Sequence, residues 1–188
     1  GNNTYSGTTI ISTGTLQIGA GGNSGALNAN STITNNGTLA FNRSNTITQG
    51  TDFASVLTGA GNITQAGSGT LLLTGNNTYT GTTTIKRGTL SVSGNHTGAG
   101  VYSIGAANGD NGTLQVTGGS ISASALYVGR TGNATGSVSQ TNGTITVTGA
   151  GDVARIGGGD GSGDASAVGI YTISGGTLAV TNNLQVGA

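Results

Sequence analysis

A five-residue unit, Gly-Thr-Leu-x-apolar, recurs along the chain and limits how it can fold. Its copies begin at Gly14, Gly37, Gly69, Gly88, Gly112, Gly143 and Gly176, with Ile in place of Leu in the copy at Gly143. Within each unit the two apolar residues are two positions apart, so in a strand both point to the same face. Such a short strand buries little by itself, and unit starts 19 to 33 residues apart are typical of a solenoid whose turns stack on one another.

The composition favours strands and argues against several classes of protein. Of the 188 residues, 39 are Gly, none is Pro and 5% are charged, against about 25% in an ordinary domain. Residues that favour helices are scarce, whereas Thr, Val, Ile and Leu are frequent. Regularly placed apolar residues argue against disorder, and the lack of Pro excludes collagen. A net charge of zero predicts no nucleic-acid partner.

The C-terminal half indicates the order of strands within one turn. A second repeat, apolar-x-apolar-Gly, occurs at 126–129, 154–157 and 184–187. Combined with the first unit, it predicts consecutive strands at Tyr171–Ser174, Thr177–Val180 and Leu184–Val186. Three short strands joined by corners describe one rung of a parallel β-helix. We therefore predict an all-β fold, a parallel β-helix with roughly three short strands per rung.

Stacking of the Gly-Thr-Leu units predicts two ladders of inward side chains. The first is expected to contain Leu16, Leu39, Leu71, Leu90, Leu114, Ile145 and Leu178, and the second Ile18, Phe41, Leu73, Val92, Val116, Val147 and Val180. Stability would then come from contacts between neighbouring rungs. We expect one continuous solenoid, with a change of repeat style dividing residues 1–94 from residues 95–188.

Two stretches, 1–27 and 67–94, carry nearly the same phrase. GNNTYSGTTIISTGTL begins at Gly1 and GNNTYTGTTTIKRGTL begins at Gly75. Both stretches resemble the passenger-associated transport repeat of bacterial autotransporters, and residues 95–188 resemble looser repeats of the same sort of surface protein. The resemblance implies a right-handed parallel β-helix within a passenger, exposed on or secreted from a Gram-negative cell.

The same resemblance implies a role and a set of partners for the chain. It implies a stalk or adhesin-type scaffold that folds rung by rung on export, with glycans or proteins of host or bacterial surfaces as partners. The native chain would be linked to an outer-membrane β-barrel that this sequence does not include. Unpaired edges of the terminal rungs are the expected route to any oligomer.

Few residues are suited to catalysis, and we predict no enzyme, no catalytic residue and no cofactor. His96 is the single histidine, and its polar surroundings predict an exposed, inert loop. Asp152, Asp160 and Asp164 form the one acidic cluster, which leaves a carbohydrate-active enzyme as an alternative. Glycoside hydrolysis requires two carboxylates on rigid supports, and the Gly-rich segment around this cluster argues against it.

The same segment raises a calcium alternative. Asp160, Ser162 and Asp164 alternate along the sequence, and alternating oxygen ligands in a tight turn can hold Ca²⁺. However, Ala165 occupies the position where a calcium loop has Gly, and no bidentate Glu follows. We therefore predict a loop that protrudes from the solenoid and no metal site.

Tyrosine and basic side chains give the remaining expectations. Tyr5 and Tyr79 follow Asn-Asn-Thr in the two copies, and both are predicted to be packed corner aromatics, with sugar stacking as the alternative. Arg43, Lys86 and Arg87 are expected to be isolated charges that point outward.

Overall fold

The computed structural model describes residues 1–54, 56–98, 100–150, 152–158 and 166–187. In this part of the chain all regular structure is strand, and no helix could span a membrane. The strands of the first half are β1 (Thr9–Ile11), β2 (Thr15–Ile18), β3 (Ile33–Asn35), β4 (Thr38–Phe41), β5 (Ile47–Thr48), β6 (Leu57–Thr58), β7 (Asn62–Gln65), β8 (Thr70–Leu73), β9 (Thr83–Ile85) and β10 (Arg87–Val92). Those of the second half are β11 (Asn95–His96), β12 (Val101–Ile104), β13 (Asn111–Val116), β14 (Ser120–Ala123), β15 (Ala125–Val128), β16 (Thr135–Gln140), β17 (Thr144–Val147), β18 (Asp152–Ile156), β19 (Val168–Ile173), β20 (Thr177–Val180) and β21 (Asn183–Val186).

The strands form three faces that the chain visits in a fixed order. Face 1 consists of the sheets β1-β3-β6 and β11-β14-β17-β20, face 2 of the eight-stranded sheet β2-β4-β7-β9-β12-β15-β18-β21, and face 3 of the six-stranded sheet β5-β8-β10-β13-β16-β19. Every pairing of these strands is parallel. From β3 onward each turn passes from face 1 to face 2 to face 3. The predicted parallel β-helix with three strands per rung is therefore confirmed, and its right-handed sense stays a prediction that follows the usual preference of parallel crossovers.

The two sheets of face 1 are joined by a single extended segment at Asn77 and Thr78. The backbone N–H of Thr78 donates to the carbonyl of Leu57 at 3.0 Å, and that of Asn77 donates to the carbonyl of Asn95 at 2.7 Å. A parallel bridge between Asn77 and His96 completes the connection. Backbone pairing on face 1 therefore continues through the second copy of the repeated phrase.

The length of one turn varies, while the register of the paired strands is kept except at a β-bulge in β18, between Asp152 and Ala154. Leu71 pairs with Leu90, 19 residues later, whereas Val138 pairs with Tyr171, 33 residues later. Apart from that bulge, the described residues that lengthen a turn fall between strands and not within them. Eight strands on face 2 correspond to a rod of roughly 35 Å at ~4.8 Å per rung.

The two predicted ladders are wrong as single ladders, although most of their members point inward. The Gly-Thr-Leu units lie on face 2 at Leu16 and Leu39, on face 3 at Leu71, Leu90 and Leu114, and on face 1 at Ile145 and Leu178. Leu39 consequently pairs with Ile63 instead of Leu71. The reason is that any strand of a three-sided coil can present the same inward pair, so one sequence unit fits each face.

The core runs continuously along the rod axis. Its side chains come from all three faces, and Leu39, Phe41, Leu71, Leu90, Leu114 and Ile145 are completely buried. Phe41 also packs on Phe53 with ring centroids 4.9 Å apart. Since each layer is covered by the next, the burial of apolar area depends on stacking, as expected for a solenoid.

Glycine at the start of the strand unit is required by geometry, and Gly88 gives the clearest case. Its φ is +61°, a conformation that residues with a side chain rarely adopt. A Cβ atom there would also lie 2.3 Å from the carbonyl oxygen of Gly69 in the preceding rung. Both the turn and the close approach of the two rungs therefore demand Gly.

The two copies of the repeated phrase lie on different faces. In the first copy β1 lies on face 1 and β2 on face 2, whereas the matching segments of the second copy, β9 and β10, lie on faces 2 and 3. The second copy is therefore advanced by one face. The eight-stranded sheet of face 2 runs across residue 94, and the division of the chain at that residue stays a prediction.

Candidate functional site

The predicted acidic cluster falls largely outside the described residues. Asp160, Ser162 and Asp164, the residues of the calcium alternative, are not among the residues that the structure describes, and of Asp152 the backbone position in β18 is described. Within the described ranges no group of three or more His, Cys, Asp or Glu side chains could hold a metal ion. The structure therefore does not test the calcium and carbohydrate-enzyme alternatives.

His96 is not an exposed loop residue, and this prediction is wrong. The side chain is completely buried, because β11 places it on the inner side of face 1, in register with Ile121 of the next rung. The polar sequence around it forms a corner and a strand edge, and the imidazole itself enters the core. Its ring also lies edge-on to the ring of Tyr79, with centroids 6.0 Å apart.

A chain of hydrogen bonds surrounds His96 inside the core. Asn77 Nδ2 lies 3.1 Å from His96 Nε2, and His96 Nδ1 lies 2.7 Å from the hydroxyl of Tyr102. On the other side, Gln49 Nε2 donates to Asn77 Oδ1 at 2.7 Å. We call Gln49, Asn77, His96 and Tyr102, together with Tyr79 and Thr83, the core network.

Tyr79 and Thr83 complete the core network on the side of Tyr102. The hydroxyls of Tyr79 and Thr83 are 2.7 Å apart, and the hydroxyls of Tyr79 and Tyr102 also interact. All six side chains of the network are buried. An unpaired polar group at such a depth would be costly, and the network satisfies each of these groups with another member or with backbone.

Two backbone N–H groups determine which atoms of the core network donate hydrogen bonds and which accept them. Leu57 N–H donates to Asn77 Oδ1 at 2.9 Å, which requires the amide nitrogen of Asn77 to face His96. His96 Nε2 must then accept, and Nδ1 carries the proton and donates to Tyr102. Gly75 N–H donates to Gln49 Oε1 at 3.0 Å and orients that amide in the same way. The network therefore selects the neutral Nδ1–H tautomer of His96.

Burial and this tautomer both oppose protonation of His96. Burial lowers the pKa of His96 from 6.5 to about 4, since the charged imidazole would lose its hydration. A proton on Nε2 would in addition face the donating amide of Asn77. Burial likewise raises the pKa of Tyr79 and Tyr102 above 10.0, so the core network is uncharged at neutral pH.

Chemically, the core network is suited to holding rungs together. His96 is 0% exposed, so it offers no surface to a substrate, and acid–base chemistry requires contact with the reacting group. No sequence pattern marks Gln49 or Tyr102, and Asn77 stands out only as part of the repeated phrase. Asn and Gln are common throughout the chain, so the sequence does not show which of them are buried. That could be recognised only if the pairing of successive rungs were already known.

Arg43 is also buried, so the prediction of an outward charge is wrong for this residue. The side chain is 7% exposed, and its Nη1 and Nη2 donate to the carbonyls of Gly25 at 2.7 Å and Asn23 at 2.8 Å. Nε donates to the Asn45 side chain at 3.0 Å. The guanidinium thus ties together the Gly-rich corner that follows β2. Lys86 and Arg87 are exposed as predicted.

The two tyrosines of the repeated phrase share a hydrogen bond and differ in burial. Tyr5 bonds to Thr9 at 2.8 Å, and Tyr79 bonds to Thr83 at 2.7 Å. Tyr79 is 1% exposed and Tyr5 is 45% exposed. The phrase Tyr-x-Gly-Thr-Thr therefore encodes the same local corner twice. The predicted packed aromatic is confirmed for Tyr79, and it is wrong for Tyr5.

Comparison with known proteins agrees with the family resemblance that the repeated phrase indicates. Residues 1–18 and 63–92 match the passenger-associated transport repeat. A stretch of 44 residues, 23% of this chain, is 48% identical to the adhesin BmaC autotransporter of Brucella suis biovar 1 (strain 1330), of which it covers 1%. No solved structure matches the chain. The resemblance to autotransporter passenger repeats is confirmed.

Proposed function

We propose, on the premise that the chain carries passenger-associated transport repeats of autotransporter passengers, that it is a rod-like structural segment of such a passenger. Passengers of this type are exposed on, or secreted from, Gram-negative cells. The segment would hold other parts of the protein away from the cell and would assemble rung by rung during export.

The observation that carries this proposal is the local pairing of the strands. Each strand of the three faces bonds to the equivalent strand one turn earlier or later, so each rung is completed by its immediate neighbours. A chain emerging from a membrane in sequence order can then form each rung on the one before it. A solenoid with such contacts grows in length without a change in its core.

The relative's name supports adhesion as a second role. That protein is called an adhesin, and a stretch of 44 residues of this chain is similar to it. We propose that the rod belongs to an adhesin-type passenger whose partners are surface glycans or proteins. An enzyme that uses Asp152, Asp160 and Asp164 remains the alternative, and replacement of all three by Asn in an assay of polysaccharide cleavage tests it.

Removal of one complete rung tests the structural role. Val116 pairs with Gln140, 24 residues later, so deletion of residues 117–140 joins Val116 directly to Thr141 with every register kept. We expect a folded rod that is shorter by roughly 5 Å in small-angle X-ray scattering, with the β-sheet circular dichroism retained.

The matched control removes half a rung, residues 117–128, which places face 3 of one rung against the wrong face of the next. This variant is expected to lose cooperative unfolding. If the complete-rung deletion is as disordered as the half-rung deletion, the rungs are not interchangeable units and the proposal is wrong.

A further inference from the structure

The tripeptide Asn-Gly-Thr occurs three times in the chain, beginning at Asn36, Asn111 and Asn142. An Asn-Gly pair is the sequence in which an asparagine side chain reacts most readily with the backbone that follows it, because glycine has no side chain to hinder the approach. A further Asn-Gly pair, at Asn108, is followed by Asp and is not a matched case. Since the three tripeptides are identical, differences in their reactivity are set by the fold.

The side chain of Asn142 is folded back onto the backbone nitrogen of the next residue. Gly143 N–H donates to Asn142 Oδ1 at 2.8 Å, so the amide carbon Cγ lies within about 4 Å of that nitrogen, given the length of a C=O bond. Asn142 is exposed in the corner between β16 and β17, and water therefore reaches its amide. The nitrogen and the carbon that would have to bond are thus close together and accessible.

At Asn36 the same two groups are bonded to other partners. Gly37 N–H donates to the side chain of Asn35 at 3.2 Å, and Asn36 Oδ1 accepts from the N–H of Ala60 in the next rung at 3.1 Å. Asn36 is exposed, as Asn142 is, so exposure does not distinguish the two sites. A reaction at Asn36 would first have to break both hydrogen bonds.

At Asn111 the tripeptide lies inside a strand. Asn111 and Gly112 begin β13, and Gly112 pairs with Gly88 of the preceding rung and with Gly136 of the next. Gly112 is also buried. Formation of a ring across Asn111 and Gly112 would bend a backbone that is paired on both sides, and the corner at Asn142 does not present this obstacle.

We propose that Asn142 is a site of spontaneous deamidation. The nitrogen of Gly143 attacks Cγ of Asn142 and forms a new N–C bond, the bond from Cγ to Nδ2 breaks, and Nδ2 leaves as ammonia with the proton that Gly143 gives up. The product is a cyclic succinimide. Water then opens the ring at either of its carbonyls and leaves aspartate or isoaspartate at position 142. No enzyme is needed, because the fold holds the reacting groups close to one another.

The contacts of Gly143 determine what the modification does to the rod. The Gly143 carbonyl accepts from the N–H of Thr177 in the next rung at 2.9 Å and from Gln140 Nε2 at 3.0 Å. A Cβ atom on Gly143 would lie 2.7 Å from the carbonyl oxygens of Gly118 and Gly119, so there is little space for movement. Isoaspartate lengthens the main chain by one carbon atom and should break the bond to Thr177, whereas aspartate adds only a charge. The inference goes beyond the structural role, which requires no modification.

Incubation of the purified chain at mildly alkaline pH, followed by peptide mass spectrometry, tests the proposal. Deamidation replaces NH₂ by OH, which changes the mass of the peptide, and an isoaspartyl methyltransferase labels the isoaspartate. In the folded chain Asn142 should deamidate at least about tenfold faster than Asn36 and Asn111. In the chain unfolded by urea the three rates should become similar, because the tripeptides are identical and the fold no longer separates them.

Asn142→Gln is the matched control, since it keeps an exposed amide at the corner while its longer side chain forms such a ring far less readily. The variant should lose the signal at this position and keep the rates at Asn36 and Asn111, and circular dichroism establishes that its fold is kept. After incubation, part of the unaltered chain should unfold at a lower urea concentration, and the variant should not. Equal rates at the three asparagines of the folded chain, or a faster reaction at Asn36 or Asn111, overturn the proposal. None of these results affects the rung-deletion experiment, which measures folding alone.

Discussion

Acidification should destabilise the rod through His96, and the sign of the effect follows from the two states of the chain. In the unfolded chain His96 binds a proton below its ordinary pKa of 6.5, whereas in the folded rod burial holds the pKa at about 4. Between these values the unfolded state carries more protons, so the free energy of unfolding falls as the pH falls. The stabilisation is present in full above pH 6.5 and is lost on the way down to pH 4.

The size of the effect follows from the same two values. The difference between 6.5 and about 4 corresponds to roughly 3 kcal/mol, at about 1.4 kcal/mol per pKa unit. This is a substantial part of the roughly 5–15 kcal/mol by which most domains are stable. Within the window the free energy of unfolding should change by about 1.4 kcal/mol per pH unit.

Urea unfolding followed by circular dichroism at several pH values between 4.5 and 8 measures this slope. The variant His96→Gln is the matched control, because Gln can accept from Asn77 and donate to Tyr102 but does not titrate. The free energy of unfolding of this variant at pH 8 need not equal that of the unaltered chain. Its dependence on pH between 4.5 and 8 should be nearly flat. As the chain has one histidine, its NMR signal reports the folded pKa directly, and a value near 6.5 would refute the reasoning.

Two further pairs of variants use the two copies of the repeated phrase as internal controls. Gly14 and Gly88 both have positive φ, but a Cβ at Gly14 would meet nothing within 4 Å. Gly14→Ala should lower the free energy of unfolding by about 1 kcal/mol, and Gly88→Ala should lower it by about 2 kcal/mol more than Gly14→Ala does. Thermal or urea unfolding measures both losses, and equal losses would contradict the close approach of rungs at Gly88. Tyr79→Phe should cost about 1–2 kcal/mol because it leaves the buried Thr83 hydroxyl without its partner. Tyr5→Phe should change the stability by less than about 0.5 kcal/mol, and the same unfolding experiment compares them.

The architecture of the rod could be predicted from the sequence because it depends on local patterns. Apolar residues two apart mark a strand, Gly marks its corner, and repetition every 19 to 33 residues marks a stack. The order of strands in one turn, read from residues 171–186, agrees with the succession of β19, β20 and β21 on three faces. These features need no knowledge of which rungs are neighbours.

The buried polar residues could not be predicted because their environment is set by the neighbouring rungs. His96 and Arg43 stand in polar, Gly-rich stretches that are typical of exposed loops. The structure buries them because β11 turns His96 towards Asn77 of the rung before, and the corner after β2 closes over Arg43. Both environments depend on residues 18 to 20 positions away, a distance that follows from the length of one particular turn.

The two copies of the repeated phrase lie on different faces, so nearly identical sequences have different surroundings in this chain. A copy that is advanced by one face keeps every local feature, including the bond from Tyr to Thr four residues later, because the corner is made by adjacent residues. Its neighbours differ, because another face supplies them, and Tyr79 is buried where Tyr5 is exposed. Local sequence therefore encodes strand and corner, while the place of a strand in the order of the three faces sets which strands it neighbours. Under the proposed function, a chain built in this way would take its register from the rung already folded, as assembly in the order of export requires.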